Sequence, residues 1–217
     1  MEVLIQVLNG VQLGLLMFLL AAGLTLTFGI MDLVNLAHGS LYMMGAYLAW
    51  TFISWTDSFF LGALLALPAT FLLGMAVEAT VMRRLYARDH LDQVLATFGL
   101  ILFFNELVRA IWGPAGKSIA VPGFLSHTIE ILPGVPYPAY RFALIAVGAV
   151  VALLLAWLVA RTRMGMLIRA GASNRRMIAA LGVNIELLFT LVFGLGAVFA
   201  GLAGLMAAPI ASVKIGM

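Results

Sequence analysis

Apolar runs long enough to cross a bilayer recur along this chain and leave few ways for it to fold. A hydrocarbon core takes about 20 consecutive apolar residues to span as a helix. Runs of that kind lie at about Val11–Ile30, Phe59–Val81, Val94–Trp112, Phe142–Ala160 and Leu187–Pro209. A sixth, Leu41–Ile53, is short, and reaches spanning length only by borrowing Leu36–Ser40. Hydrophobic residues make up 64% of the chain and charged residues 10%, whereas soluble domains carry about 45–50% and about 25%. There is too little polar surface for water, so lipid is the solvent. Lipid offers the backbone no partners, which leaves helices or a closed barrel. Barrel strands alternate in short segments, and these runs do not alternate. The expected fold is all-α: a polytopic transmembrane helical bundle of about six spans, forming one domain over residues 1–217. The opening Met-Glu lacks the basic flank of a cleavable signal, so Val11–Ile30 reads as a span.

Charge placement orients the bundle. Of the twelve Lys and Arg residues, Arg83, Arg84 and Arg88 follow the third run, and Arg161, Arg163, Arg169, Arg175 and Arg176 follow the fifth. Basic loops stay in the cytoplasm, so residues 82–93 and 161–186 are expected inside. Counting back puts the N-terminus outside and Met31–Ser40 near the inner side. The loop 113–140 is then outside. It carries Pro114, Pro122, Pro133, Pro136 and Pro138, and proline fixes φ and removes a donor, so an irregular but stiff loop is expected. Its Gly113-Pro-Ala-Gly-Lys-Ser stretch has the look of a phosphate-binding loop. The required first glycine is Ile111 instead, and no strand precedes it, so ATP binding there is rejected. With no cysteine, and with His38, His90 and His127 far apart, no metal site, cofactor or catalytic residue is expected.

Three places stand out. Asn35-Leu-Ala-His-Gly-Ser interrupts the apolar pattern before the short second run. Polar groups at membrane depth need partners or water, and broken spans beside a cavity are a recurrent way to bind zwitterions. The alternative is a plain interfacial turn with His38 bonded to a carbonyl. The second place is the inner loop 161–186. Ser173 or Asn174 caps a short helix there, with Arg175–Leu181 as its body and Gly182 as its stop. Met177, Ile178 and Leu181 fall on one face, which suits either a groove in a partner or anionic membrane lipid. The third is the small-residue stripe of the last run, Gly196, Ala200, Gly201 and Gly204, read as a helix-packing surface. Glu106 and Arg109 are spaced to pair.

Taken in order, these residues resemble a known family. Asn35-Leu-Ala-His-Gly with Met44-Gly-Ala-Tyr, Ala96-Thr-Phe-Gly-Leu with Glu106 and Trp112-Gly, and Thr162-Arg-Met-Gly with Arg169-Ala, Asn174, Ala179-Ala and Leu181-Gly-Val-Asn are similar to the permeases of branched-chain amino-acid ABC importers. The resemblance runs along essentially the whole chain. It implies a multi-pass protein of the bacterial inner membrane. Its partners would be cytoplasmic ATP-binding-cassette ATPase subunits, a second permease subunit (the same or a related chain) and a periplasmic substrate-binding protein, with no nucleic acid. It implies translocation-path candidates Asn35, His38, Gly39 and Tyr42. It also implies an ATPase-coupling segment, Ala172–Gly182, with Arg163, Gly165, Arg169, Ala170, Asn174, Ala180 and Gly182 as coupling candidates. Members of the family continue through further spans, one of them glycine-rich, beyond the point where this chain stops, so the chain reads as truncated at its C-terminus. Two other readings stay open: the same machine carrying urea, short amides or other amino acids, and an ion-coupled secondary transporter. The latter would want paired acids at membrane depth, and only Glu78 and Glu106 lie near spans, both read as terminal.

Overall fold

The computed structural model describes residues 2–132 and 135–217, and the fold is mainly helical. In chain order the helices are α1 (Glu2–Met31), α2 (His38–Thr56), α3 (Phe59–Thr80), α4 (His90–Trp112), α5 (Ala139–Arg161), α6 (Arg163–Ser173), α7 (Arg175–Ala180) and α8 (Ile185–Ala207). Five are long and apolar enough to cross a membrane: α1, α3 with the 3-10 turn that follows it, α4, α5 and α8. The second expected span, α2, has 19 residues and is the polar exception among the long helices. It is short, as expected, and it is continuous: the break lies before it, at residues 32–37.

The ends of α1 and α2 explain that break. Asp32 and Asp57 follow the two helices in the left-handed region, with φ of 51° and 50°. That conformation ends a helix, and Asp is among the few non-glycine residues that tolerate it. Residues 33–35 carry no regular structure and Leu36–Ala37 form a turn into α2; Leu33, Asn35 and Ala37 are buried and the residues between them are more exposed.

α8 is the axis of the bundle and packs against α1, α2 and α3. Lipid tails are as apolar as leucine, so helices associate in a membrane through close packing rather than hydrophobic force. The small residues of α8 permit that packing. A Cβ on Gly196 would come within 2.7 Å of Thr27, and one on Gly201 within 2.6 Å of Thr70. A Cβ on Gly204 would run into the Tyr42 carbonyl, and Ala200 is fully buried. By contrast α4 leans mainly on α2, and α5 on α1 and α6.

The proline-rich loop 113–140, expected to be outside, departs from expectation in its structure. It contains a β-hairpin, β1 (Thr128–Leu132) paired antiparallel with β2 (Val135–Pro138), with Thr128 opposite Pro138 and Glu130 opposite Pro136. A two-stranded ribbon leaves outer positions unpaired, where proline's missing N–H does no harm. Pro133 lies outside the described residues. The loop is tethered by side chains from elsewhere: Arg141 Nη1 and the Tyr137 hydroxyl donate to Asn9 Oδ1 at 2.7 and 3.2 Å. Lys117 bridges to Val213 and sits 4.9 Å over the Trp50 ring. Burial pushes the Tyr137 phenol above its ordinary range, with Arg141 opposing.

Candidate functional site

The first candidate region sits inside the bundle. His38 Nε2 donates to the Leu20 carbonyl at 3.1 Å; a carbonyl only accepts, so Nε2 carries the proton. Leu20 lies about three turns before the end of α1, about 16 Å at 1.5 Å per residue. Residues 32–37 therefore turn back along α1, and α2 starts about three turns up from the end of that helix. Gly23 makes the room: a Cβ there would sit 3.0 Å from His38 Nε2 and 2.5 Å from the Gly196 carbonyl. Asn35 Oδ1 accepts from Ala37 N at 3.0 Å and caps the turn into α2. Asn35 Nδ2, His38 Nδ1 and the Tyr47 hydroxyl are buried with no partner among the described residues.

Gly39 and Tyr42 face outward from this point. Both line a groove of about 390 Å³ between α1, α2 and the tail after α8, with Gln12, Leu16, Leu20 and Ile210 in its wall. Gly39 also borders a smaller cleft of about 130 Å³ with Ser40, Met43 and Asn105. Asn35 and His38 do not line either space; they stand behind the wall and shape it. Gln12 was not singled out from sequence, although a lone amide within an apolar run is itself a signal.

The second region is at the arginine-rich end of the bundle, the end that the charge pattern predicts to be inside. Thr162 Oγ1 accepts from Gly165 N at 3.0 Å and caps α6. A Cβ at Gly165 would collide with the carbonyls of Leu158 and Val159, so the tight α5–α6 corner admits only glycine. Asn174 is the cap of α7, its Oδ1 accepting from Met177 N at 3.0 Å. Gly182 closes α7 at φ 85°, its N–H donating to the Ala179 carbonyl at 3.0 Å. Arg163, Arg169, Ala170, Asn174, Ala180 and Gly182 are exposed, and Gly165 is buried. Arg169 stands at the mouth of an apolar groove of about 410 Å³ walled by α1, α5 and α6. The expected single apolar face of α7 is split. Met177 and Leu181 are 62% and 77% exposed, whereas Ile178 is 6% exposed. The i and i+4 residues share the outer side, and their neighbour turns into the bundle.

Beside this hairpin lies a polar cluster that sequence reading did not find. Glu78, on α3, is fully buried. Its Oε1 accepts from the Tyr86 hydroxyl at 2.8 Å, and its Oε2 accepts from Thr190 Oγ1 at 2.6 Å and Arg83 Nη2 at 3.1 Å. Arg83 Nη1 reaches Glu186 at 3.1 Å. Burial, then the bond to Glu78, holds the Tyr86 phenol far above its ordinary range, so it stays a donor. The expected pair of Glu106 and Arg109 forms at 2.8 Å on the exposed side of α4.

A bundle of apolar helices, a helix that starts inside the membrane beside a groove, and a capped helix offered at the basic end together define a multi-pass membrane transport component. The chain belongs to the family described as the permease component of the branched-chain amino acid transport system, which it matches over residues 6–216. It is 28% identical over 212 residues to the high-affinity branched-chain amino acid transport system permease protein BraD of Pseudomonas aeruginosa, covering 93% of this chain and 69% of that one. The corresponding LivH permease proteins of Salmonella typhimurium and Escherichia coli are 28% and 27% identical over 217 residues, with the same coverage. No solved structure matches the chain significantly.

Proposed function

We propose that this chain is a membrane-spanning permease subunit of an ATP-binding-cassette importer in the bacterial inner membrane, and that its cargo is leucine, isoleucine or valine. ATP is hydrolysed by a separate cytoplasmic subunit, a periplasmic binding protein delivers the substrate, and a second permease completes the path. The observation that carries the reading is α7. A helix of six residues is too short to hold itself together, yet this one is capped at both ends by Asn174 and Gly182 and presents Met177 and Leu181 to the outside at the basic, inner end. An apolar, preorganised face of that kind suits a groove in a soluble partner.

In this reading the partner pulls on α7, and the spans beside it shift between outward- and inward-open arrangements. Gly39 and Tyr42 line the path, with Asn35 and His38 fixing the start of α2 behind them. Gly196, Ala200, Gly201 and Gly204 form the packing surface around which α1, α2 and α3 move. A ligand shifts such an equilibrium only through different affinity for the two states. The groove beside Gly39 and Tyr42 is walled largely by apolar side chains such as Leu16, Leu20 and Ile210, which suits passage of an apolar substrate side chain, while selectivity sits mainly in the binding protein that delivers it. The relatives' names support a branched-chain cargo.

The chain has no cysteine, so a single Ser173→Cys reports its own location. It should react with an impermeant maleimide only after the cells are opened, and labelling of intact cells would sink the importer reading. Uptake of radiolabelled leucine and urea by cells carrying the whole system then decides the cargo, with leucine expected.

A further inference from the structure

We infer that Glu78 is the positioning residue through which movement of α7 reaches the transmembrane helices. The inference rests on the reading of α7 as the helix that docks the ATPase. The route is continuous. Arg175, the first residue of α7, holds its guanidinium 5.5 Å from the centre of the Phe189 ring on α8. Phe189 meets Tyr86 edge to face, with ring centres 5.2 Å apart. The Tyr86 hydroxyl donates to Glu78 Oε1 at 2.8 Å and also lies 3.7 Å from Met31 Sδ, at the end of α1. Thr190 on α8 and Arg83 beyond α3 bind the other oxygen of Glu78, and Arg83 returns to Glu186 at the start of α8. The inner ends of α1, α3 and α8 thus converge on one buried carboxylate.

The chemistry of that carboxylate makes it a mechanical joint. A buried charge is tolerated only when it is paired and its remaining lone pairs are bonded. Here both oxygens are engaged, one by the phenol and one by a hydroxyl and a guanidinium. Apolar helix faces slide past one another in small steps, whereas a fully satisfied polar network specifies one arrangement. The three helix ends therefore move together, and α7 grips that unit through Arg175. None of these groups lines the groove beside Gly39, so the effect on transport is indirect.

The test uses the complete importer, reconstituted in vesicles with its ATPase and binding protein. The readout is substrate imported per ATP hydrolysed, with the amount of assembled complex measured alongside. Glu78→Gln keeps the shape and loses the charge, Tyr86→Phe removes one hydroxyl, and Thr190→Val is set against Thr190→Ser, which keeps the donor. Each of the first three should assemble and hydrolyse ATP, yet import at least about tenfold less per ATP, the equivalent of one hydrogen bond to a charged group. Thr190→Ser should behave as the parent. Should Glu78→Gln fail to accumulate, Tyr86→Phe carries the test.

A cluster that only stabilises the fold would lower the amount of complex and leave the ratio unchanged, and that result overturns the inference. Cross-linking Ala180→Cys to the ATPase separates this failure from failure of the docking reading. An efficient cross-link with an unchanged ratio sinks the joint alone. A missing cross-link sinks both.

Discussion

Helices α5 and α8 have the same length, 23 residues, and both are apolar, yet they occupy opposite environments. α8 buries fifteen of its residues against the protein. α5 buries four, Ala139, Tyr140, Leu144 and Gly148, all in its outer half. In water the more apolar helix would be the inner one. In lipid apolarity alone does not sort them, because hydrocarbon solvates leucine as well as a protein core does. What separates the two helices is residue size. α8 places Gly194, Gly196, Gly201 and Gly204 among alanines, whereas the inner half of α5 carries Leu153, Leu154 and Trp157 on its outer face.

The largest effect should come from filling the tightest contact of α8. Gly45 on α2 meets Gly201 backbone to backbone, and Thr70 closes the other side. Gly201→Leu should destabilise the bundle by more than about 3 kcal/mol, beyond ordinary overpacking because backbone must move, and a thermal aggregation assay in detergent would show it as loss of folded protein. Gly14→Leu on α1 has open space around it and should leave the midpoint unchanged. Equal effects from the two would mean that close approach does not set the architecture.

Next in size is the surface of the inner hairpin. Arg169→Glu or Ala180→Trp should lower uptake about tenfold or more, as loss of a central contact does, with membrane insertion intact on blots. Normal uptake in both would remove α7 and its neighbours from the coupling interface. Smaller again is a polar tie between the compared helices. The buried Tyr140 hydroxyl of α5 donates to the Met206 carbonyl of α8 at 2.9 Å. Tyr140→Phe should cost about 1 kcal/mol, read as a shift in the same thermal assay.

How far sequence reaches follows from the same physics. Apolar runs mark spans because lipid demands them, so α3 was placed to within a residue of its ends. The stop and start around α2 were partly visible: Asn35 and His38 marked an interruption, but its depth depends on Leu20 and Gly23, on another helix. Asn174 and Gly182 are legible because caps act locally. The side on which Ile178 lies is not, since six residues make fewer than two turns and packing decides. Glu78 escaped because its partners stand 5, 8 and 112 residues away, outside any helix spacing. The outer hairpin escaped because its prolines argue against strands until the pairing shows which positions need no donor.

The smallest expected effect tests whether α5 truly faces lipid. Leu153 is 71% exposed at the middle of the helix. In a soluble protein an exposed leucine is indifferent to truncation because water already touches it. Here it should be indifferent for the opposite reason, that lipid replaces whatever the side chain loses. Leu153→Ala should therefore change stability by less than about 0.5 kcal/mol, measured by steric trapping in bilayers. Leu153→Arg should cost about 2.5–3.5 kcal/mol in insertion, the price of a charge at the centre of a span. A loss above about 1 kcal/mol for the alanine variant would require packed atoms where lipid is expected. That face of α5 would then belong with α8, against protein, as docking of the proposed second permease subunit there would make it.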